Sequence, residues 1–553
     1  MVKINMWELK NNTIMKNSFN VSHVKKLALV VLLLLVSATG AAAQDWPMFR
    51  EDLRHTGVST SSAPNDNTLL WSFLENEHVH SSPAVVNGRV YIGSRHMENL
   101  NWVYCLDENS GEVIWRSSVG GTVESSPAVI DGKVYIGCLD SKVYCLDARD
   151  GKVLWSFRSE LAPVTLSSQV YSSPAVAGGK VYVGSNDGNV YCLYAENGDL
   201  VWSYPIKCYI YSSPAVAEGK VYIASHIAPT LVGRPYVNTI YCLKAETGEF
   251  VWKFQTGGSI YSSPAVVDGK VYIGSDDDYV YCLDASTGAK LWNYPTGGSV
   301  SSSPAIANGK VYVGSGDFNV YCLSAEDGGK IWSFPTGSRV HSSPAIADGK
   351  VYVGSYDGRF YCLSAETGDL VWSYQTGYLV HSSPAVADNR VFVGSYDGYL
   401  YAFGEPDFNV SVTPASGSVL QGGSINTTVK VDIIGSENVK LDTMDAPSGS
   451  TVNFAPTSGI KTFISTMTIK TAPNTPSRIY DIVIVGTHGD KTRTARYILR
   501  VGLPEVPQAM LFLPLILLLL TIPTLMYWWK TRKKYRRSKL APTGRQTRGI
   551  LRT

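Results

Sequence analysis

The chain carries almost no net charge, with 48 Lys and Arg against 46 Asp and Glu. The charge that exists is displaced to the ends. Residues 1–43 hold five Lys and one Glu, residues 530–553 hold ten Lys or Arg and no acid, and the remainder is left at about −12. An acidic middle section lacks the basic footprint that phosphate binding requires, which excludes a nucleic-acid partner. A nucleophile elbow and a phosphate-cradling glycine loop in their proper contexts are also missing. The chain has nine cysteines but no disulfide framework. Seven of them, Cys105, Cys145, Cys192, Cys242, Cys282, Cys322 and Cys362, occupy one position of a repeat. Equivalent positions in neighbouring units lie too far apart for a bridge, so these read as small buried apolar residues. Cys138 and Cys208 stand outside the pattern, and their redox state is open. Residues 408–502 contain neither Cys nor Trp.

What is abundant is repetition. Ser-Ser-Pro-Ala begins at Ser81, Ser125, Ser172, Ser212, Ser262, Ser302, Ser342 and Ser382, with the last three steps 40 residues each. Each copy is followed by a Val/Ile pair, a tight turn, a Val-Tyr strand, a Tyr-Cys-Leu strand and a Trp strand. A period of about 40–45 residues with four short strands per unit is a radial propeller. Turn pairs such as Asn87-Gly88, Asp131-Gly132 and Asp268-Gly269 supply the positive φ a two-residue hairpin needs. The last copy ends at Phe403 without a Trp strand, while Leu69-Leu70-Trp71-Ser72-Phe73 is a Trp strand with no partners before it. Joining the two closes the ring and removes exposed edges. The fold expected is all-β: an eight-bladed propeller over residues 44–404, closed by the N-terminal strand. Eight tryptophans, Trp71, Trp115, Trp155, Trp202, Trp252, Trp292, Trp332 and Trp372, give the same count of eight blades.

Cys282-Leu283-Asp284-Ala285-Ser286-Thr287-Gly288-Ala289-Lys290-Leu291-Trp292 resembles the tryptophan-docking motif of quinoprotein-like propellers over residues 45–404. The Gly recurs at 111, 151, 198, 248, 288, 328 and 368, Cys replaces the family's Ala, and the Asp survives only at Asp107, Asp147 and Asp284. That resemblance implies the fold. It leaves the chemistry open, since the family holds both quinone-dependent dehydrogenases and non-catalytic proteins such as the lipoprotein of the bacterial barrel-assembly machinery. The dehydrogenases carry a disulfide between adjacent cysteines, a calcium site and an Asp base. This chain has no Cys-Cys dipeptide, and Asp187, Asp277, Asp317, Asp357 and Asp397 recur at one hairpin position, the mark of a structural role. The expectation is therefore no enzyme and no cofactor, with pyrroloquinoline quinone unlike this residue set.

Loop lengths vary in three places, around Arg95 to Trp102, between Trp155 and Ser172, and from His226 to Thr239, all on one face of an up-and-down propeller. On that face the residue before each Ser-Ser-Pro lines the channel mouth: His80, Glu124, Tyr171, Tyr211, Tyr261, Ser301, His341 and His381. Three readings follow. These side chains fill the mouth, or they bind a polar ligand such as a sugar or peptide through flat bodies and hydrogen-bonding tips. As a third, His80, His341, His381 and Glu124 hold a metal, although no short ligand spacing marks one.

The ends place the propeller. Lys25-Lys26, the apolar run Leu27 to Val36 and Ala41-Ala42-Ala43 form a signal peptide over residues 1–43, with Met15 as a plausible start. Short alternating runs across residues 405–503 point to an immunoglobulin-like sandwich with sequons at Asn409 and Asn426. Residues 509–529 are apolar enough for one transmembrane helix, and the basic tail 530–553 belongs in the cytoplasm. The expectation is a single-pass type I cell-membrane protein with the propeller outside, binding an extracellular protein, peptide or glycan. The alternatives are a membrane quinoprotein oxidoreductase and a structural envelope or adhesion component.

Overall fold

A computed structural model describes residues 45–502 apart from 76–77, 96–100, 160–167, 227–237, 436–437 and 490. The segments expected to be a signal peptide, a transmembrane helix and a cytoplasmic tail, and most of each long loop, lie outside the described residues. Among the described residues every element is a strand, and no helix is long and apolar enough to cross a membrane. The chain divides into two compact units, at Glu405 and Pro406.

The first unit holds eight four-stranded antiparallel sheets. One sheet serves for all: Ala265–Val267, Lys270–Gly274, Tyr279–Asp284 and Lys290–Pro295 pair in that order. Register sets Ala265 opposite Tyr272, Tyr272 opposite Cys282 and Cys282 opposite Trp292. This row forms one buried face, which packs on Ile306, Val311 and Leu323 of the next sheet. The repeated cysteine is thus a small apolar residue beside two large rings, and all nine cysteines are free. Cys138 is buried and Cys208 half-buried. Every docking tryptophan except Trp372 lies on a glycine of the following sheet: a Cβ on Gly288 would come 2.6 Å from the Trp252 ring, whose Nε1 donates to the Ala285 carbonyl at 3.0 Å. The repeated aspartates are structural, as expected. Asp277, Asp317, Asp357 and Asp397 each accept a Tyr hydroxyl four residues on and a Gly amide twenty residues back.

Closure occurs as the sequence requires. Leu69–Leu74 pairs antiparallel with Tyr399–Gly404, completing the sheet of Ala385–Ala387 and Arg390–Gly394. A second circle runs inside. The amide of each second serine of the Ser-Ser-Pro phrase donates to the hydroxyl of its counterpart in the next sheet. The chain of bonds passes from Ser82 to Ser126 and on to Ser383, whose amide returns to the Ser82 hydroxyl at 3.0 Å.

The work of residues 45–64 is done by the backbone and leaves no side-chain pattern. Each innermost strand is three residues long, and its channel-side edge would leave backbone groups unpaired in a buried place. The leading segment pairs them in six of the eight sheets. Trp46 exchanges both backbone hydrogen bonds with Val85, and the carbonyls of Pro47, Leu53, Arg54, Thr56 and Gly57 accept from Val129, Val216, Val266, Ile306 and Ile346 in turn. The segment curls to do this, with φ of 61° at Arg50, 73° at Glu51 and 60° at His55. Arg50, 1 % exposed, donates to the carbonyls of Pro304 and Pro344. Gly57 has a φ of 66°, and a Cβ there would run into the Arg50 guanidinium. Gly57→Ala is therefore expected to cost about 1–3 kcal/mol, read as a lower urea midpoint. A neutral result would mean that Arg50 is not held where it lies.

The second unit has two sheets around one core. Asp407–Thr413, Ser424–Ile434, Phe463–Lys470 and Thr451–Ala455 form one. Ser416–Val419, Lys491–Val501, Ile479–His488, Val439–Met444 and Ser458–Gly459 form the other, with Ser416–Val419 parallel to Lys491–Val501. Val429, Val431, Met467, Ile482, Tyr497 and Leu499 fill the space between them. The alternating runs at 409–413, 425–433, 480–486 and 494–501 fall within strands, and the run at 462–470 begins one residue before its strand. Asn409 and Asn426 are both exposed.

Candidate functional site

All eight residues that precede Ser-Ser-Pro line one cavity of about 500 Å³ at the channel mouth. Phe49 of the leading segment also lines it, as do seven of the second serines.

The walls divide as the sequence order implies. On one arc the rings of His80 and His381 lie 4.3 Å apart, and those of His381 and His341 6.1 Å apart. On the other, Tyr171, Tyr211 and Tyr261 follow one another at 4.7 and 5.5 Å. Glu124 closes the histidine arc, 3.6 Å from both His80 Nε2 and an Arg95 guanidinium nitrogen. Burial lowers the proton affinity of His80 and His381, and brings His341 down to about 4. At neutral pH these imidazoles are uncharged and present one donor and one acceptor each. Burial pushes the Tyr171 hydroxyl up to about 12, so it stays a donor. Among the described residues no three His, Cys, Asp or Glu are grouped to hold a metal ion. The histidines instead meet ring to ring.

A second row of variable residues was overlooked. The residue after each strand-ending Ser or Cys reads Arg95, Leu139, Asn186, His226, Asp276, Gly316, Tyr356 and Tyr396. Most reach the mouth residue of the next sheet. Arg95 pairs with Glu124, Asp276 accepts from Ser301 Oγ at 3.2 Å, and His226 Nε2 lies 3.2 Å from the Tyr261 hydroxyl. Tyr356 and Tyr396 stack on the mouth residues of their own sheets, His341 at 4.6 Å and His381 at 5.7 Å, and lie 5.9 and 5.7 Å from His381 and His80 of the next. The signal was available: this position varies while Gly-Ser before it and Asp after it recur in five units, at Gly184, Gly274, Gly314, Gly354 and Gly394. Two of these residues, Arg95 and His226, are the last described residues before residues 96–100 and 227–237.

The donor set does not suit the redox group of a quinoprotein. A hard cation of the calcium type takes six to eight oxygens. The cavity's carboxylates, Glu124 and Asp276, come from sheets separated by two others, and each is already engaged. No cysteine pair is bonded among the described residues.

Solved structures with this fold include both chemistries. A europium-containing methanol dehydrogenase superposes with a TM-score of 0.58 at 16 % identity, covering 66 % of this chain and 98 % of that one. BamB from Moraxella catarrhalis superposes with a TM-score of 0.52 at 20 % identity, covering 61 % and 100 %. Quinohemoprotein alcohol dehydrogenase from Comamonas testosteroni gives 0.56 at 17 % identity, covering 67 % and 82 %. At such identities the likeness is one of fold alone. No curated protein matches in sequence. A family model does: that of outer membrane protein assembly factor BamB aligns with residues 55–228, 210–316 and 317–411, so most of the repeat region is accounted for and the chain belongs to that family.

Proposed function

We propose that the protein is a non-enzymatic binding protein of the cell surface. In this reading an eight-bladed propeller presents the cavity outside the membrane, an immunoglobulin-like sandwich serves as its stalk, and residues 509–529 anchor it. One observation carries the binding role. The ring is nearly invariant in strands and turns, yet both rows of residues around this one cavity differ from sheet to sheet. Residues with a structural duty repeat, as the aspartates and tryptophans do. Residues that shape a ligand site need not. The cavity volume of about 500 Å³ suits a small molecule, a sugar unit or a peptide side chain. Neutral imidazoles, tyrosine faces and serine hydroxyls are the groups such ligands meet. A redox role has less support, because the donor set offers no hard-cation site.

Glycan and peptide arrays probed with the full chain in detergent would find the ligand. Tyr211→Ala is expected to weaken its binding at least tenfold while the melting midpoint stays in place, because Tyr211 stands between Tyr171 and Tyr261 in the aromatic wall. Undiminished affinity in that variant would remove the cavity from the binding role.

A further inference from the structure

One arc of the cavity gathers positive charge and hydrogen-bond donors that the protein leaves unanswered. The second serines of the Ser-Ser-Pro phrases accept an amide, but their own hydroxyl protons meet no acceptor among the described residues. Ser303 and Ser343 are 3 % and 4 % exposed and line the cavity. Beneath them lies Arg50, bonded to the carbonyls of Pro304 and Pro344, the residues that follow these serines. Its Nε has no partner, and burial brings its pKa down to about 9, with Asp52 pulling the other way. Arg339 lines the same wall and forms no ion pair among the described residues. His341 adds a buried Nε2 with no partner. The cavity carboxylate of the neighbouring sheet, Asp276, is held by Ser301, and the charges bearing on it are those of Asp277 and Asp278.

We propose that this arc is a subsite for a monoanionic group, the carboxylate of the cavity's ligand or a free halide. Ser303 and Ser343 Oγ–H, His341 Nε2–H and Arg339 donate to it, and Arg50 supplies unneutralised charge from below. The proposal rests on the reading of the cavity as a binding site and narrows its occupant to an acid. A hydroxyl that already accepts an N–H is a stronger donor, charge-assisted bonds are the strong ones, and a desolvated cation acts at low screening.

Crystals of the full chain soaked in sodium bromide are expected to show anomalous density beside Ser303 and Ser343 Oγ. Arg339→Gln should empty it; Arg339 is exposed, so the fold survives the change. By calorimetry, glucuronate is expected to bind at least tenfold more tightly than glucose, with Arg339→Gln erasing the difference. Bromide without a preference for glucuronate assigns the subsite to free halide, and a preference assigns it to a ligand's carboxylate. Water alone on the arc, or bromide that persists undiminished in Arg339→Gln, overturns the subsite. Glucose or another neutral probe bound in the cavity under those outcomes would leave the broader binding role standing.

Discussion

Trp71→Ala is expected to destabilise the first unit by about 3–5 kcal/mol, and Trp372→Ala by about 1 kcal/mol less. The two tryptophans flank the seam of the ring. Trp71 rides on the closing strand, packs on Gly111, and donates Nε1 to the Glu108 carbonyl at 2.9 Å. Its loss opens a large void and removes a buried hydrogen bond at the point where two distant parts of the chain meet. Trp372 faces the sheet that the closing strand completes, and that sheet has no continuous hairpin from which a carbonyl could accept. Its Nε1 accordingly has no partner, although its ring packs on Phe360 and Phe403. Tyr352, which in other sheets bonds to the same hairpin, here reaches the Pro64 carbonyl of the leading segment at 3.1 Å. Replacing Trp372 thus loses packing but relieves an unsatisfied donor. Urea unfolding followed by far-ultraviolet circular dichroism reads both losses. A larger loss at Trp372 than at Trp71 would mean that the seam lies elsewhere.

The parts of this structure that repeat were legible, because eight copies let each position declare its role. Ser82 and its counterparts, the Cys row, the docking tryptophans and the hairpin aspartates all kept in sequence the spacing they keep in space. The closing strand was legible from arithmetic, one Trp strand short at one end and one over at the other. The rim was half legible. His80 to His381 stood out beside an invariant phrase, whereas Tyr356, Tyr396 and Asp276 sat inside a turn whose glycines drew the attention. The leading segment was not legible. Its work is done by backbone carbonyls and by Arg50 and Phe49, which repeat nothing, and a carbonyl leaves no trace in side-chain pattern. Only its composition, Trp46, Met48 and Phe49 in a short stretch outside the repeat, marked it as a segment with something to bury.

That burial has a consequence for acid stability, expected as the second large effect. Burial brings His55, His226 and His341 down to about 4, and lowers His80 and His381 as well. Unfolded, each imidazole takes up its proton near 6.5. Between about 4 and 6.5 the unfolded state therefore binds more protons than the folded one, and stability falls as pH falls. Each such histidine contributes up to ~1.4 kcal/mol per pH unit across that window. Buried carboxyls oppose them. Burial raises Glu51 and Glu108 to about 7 and also raises Asp187 and Asp276, so the folded state takes up these protons first and gains stability on acidification. The Glu51 and Glu108 gain begins near neutrality, and the five histidines outnumber the four carboxyls. The net expectation is a melting midpoint that falls between pH 6.5 and 4, and a difference measurement isolates the cause. His381→Phe removes one imidazole from the stack and should reduce the slope of stability against pH by up to one proton, leaving the other groups to titrate as before. An unchanged slope in that variant would mean that His381 is already charged in the folded protein, and that the rim is a cationic surface instead of a neutral one.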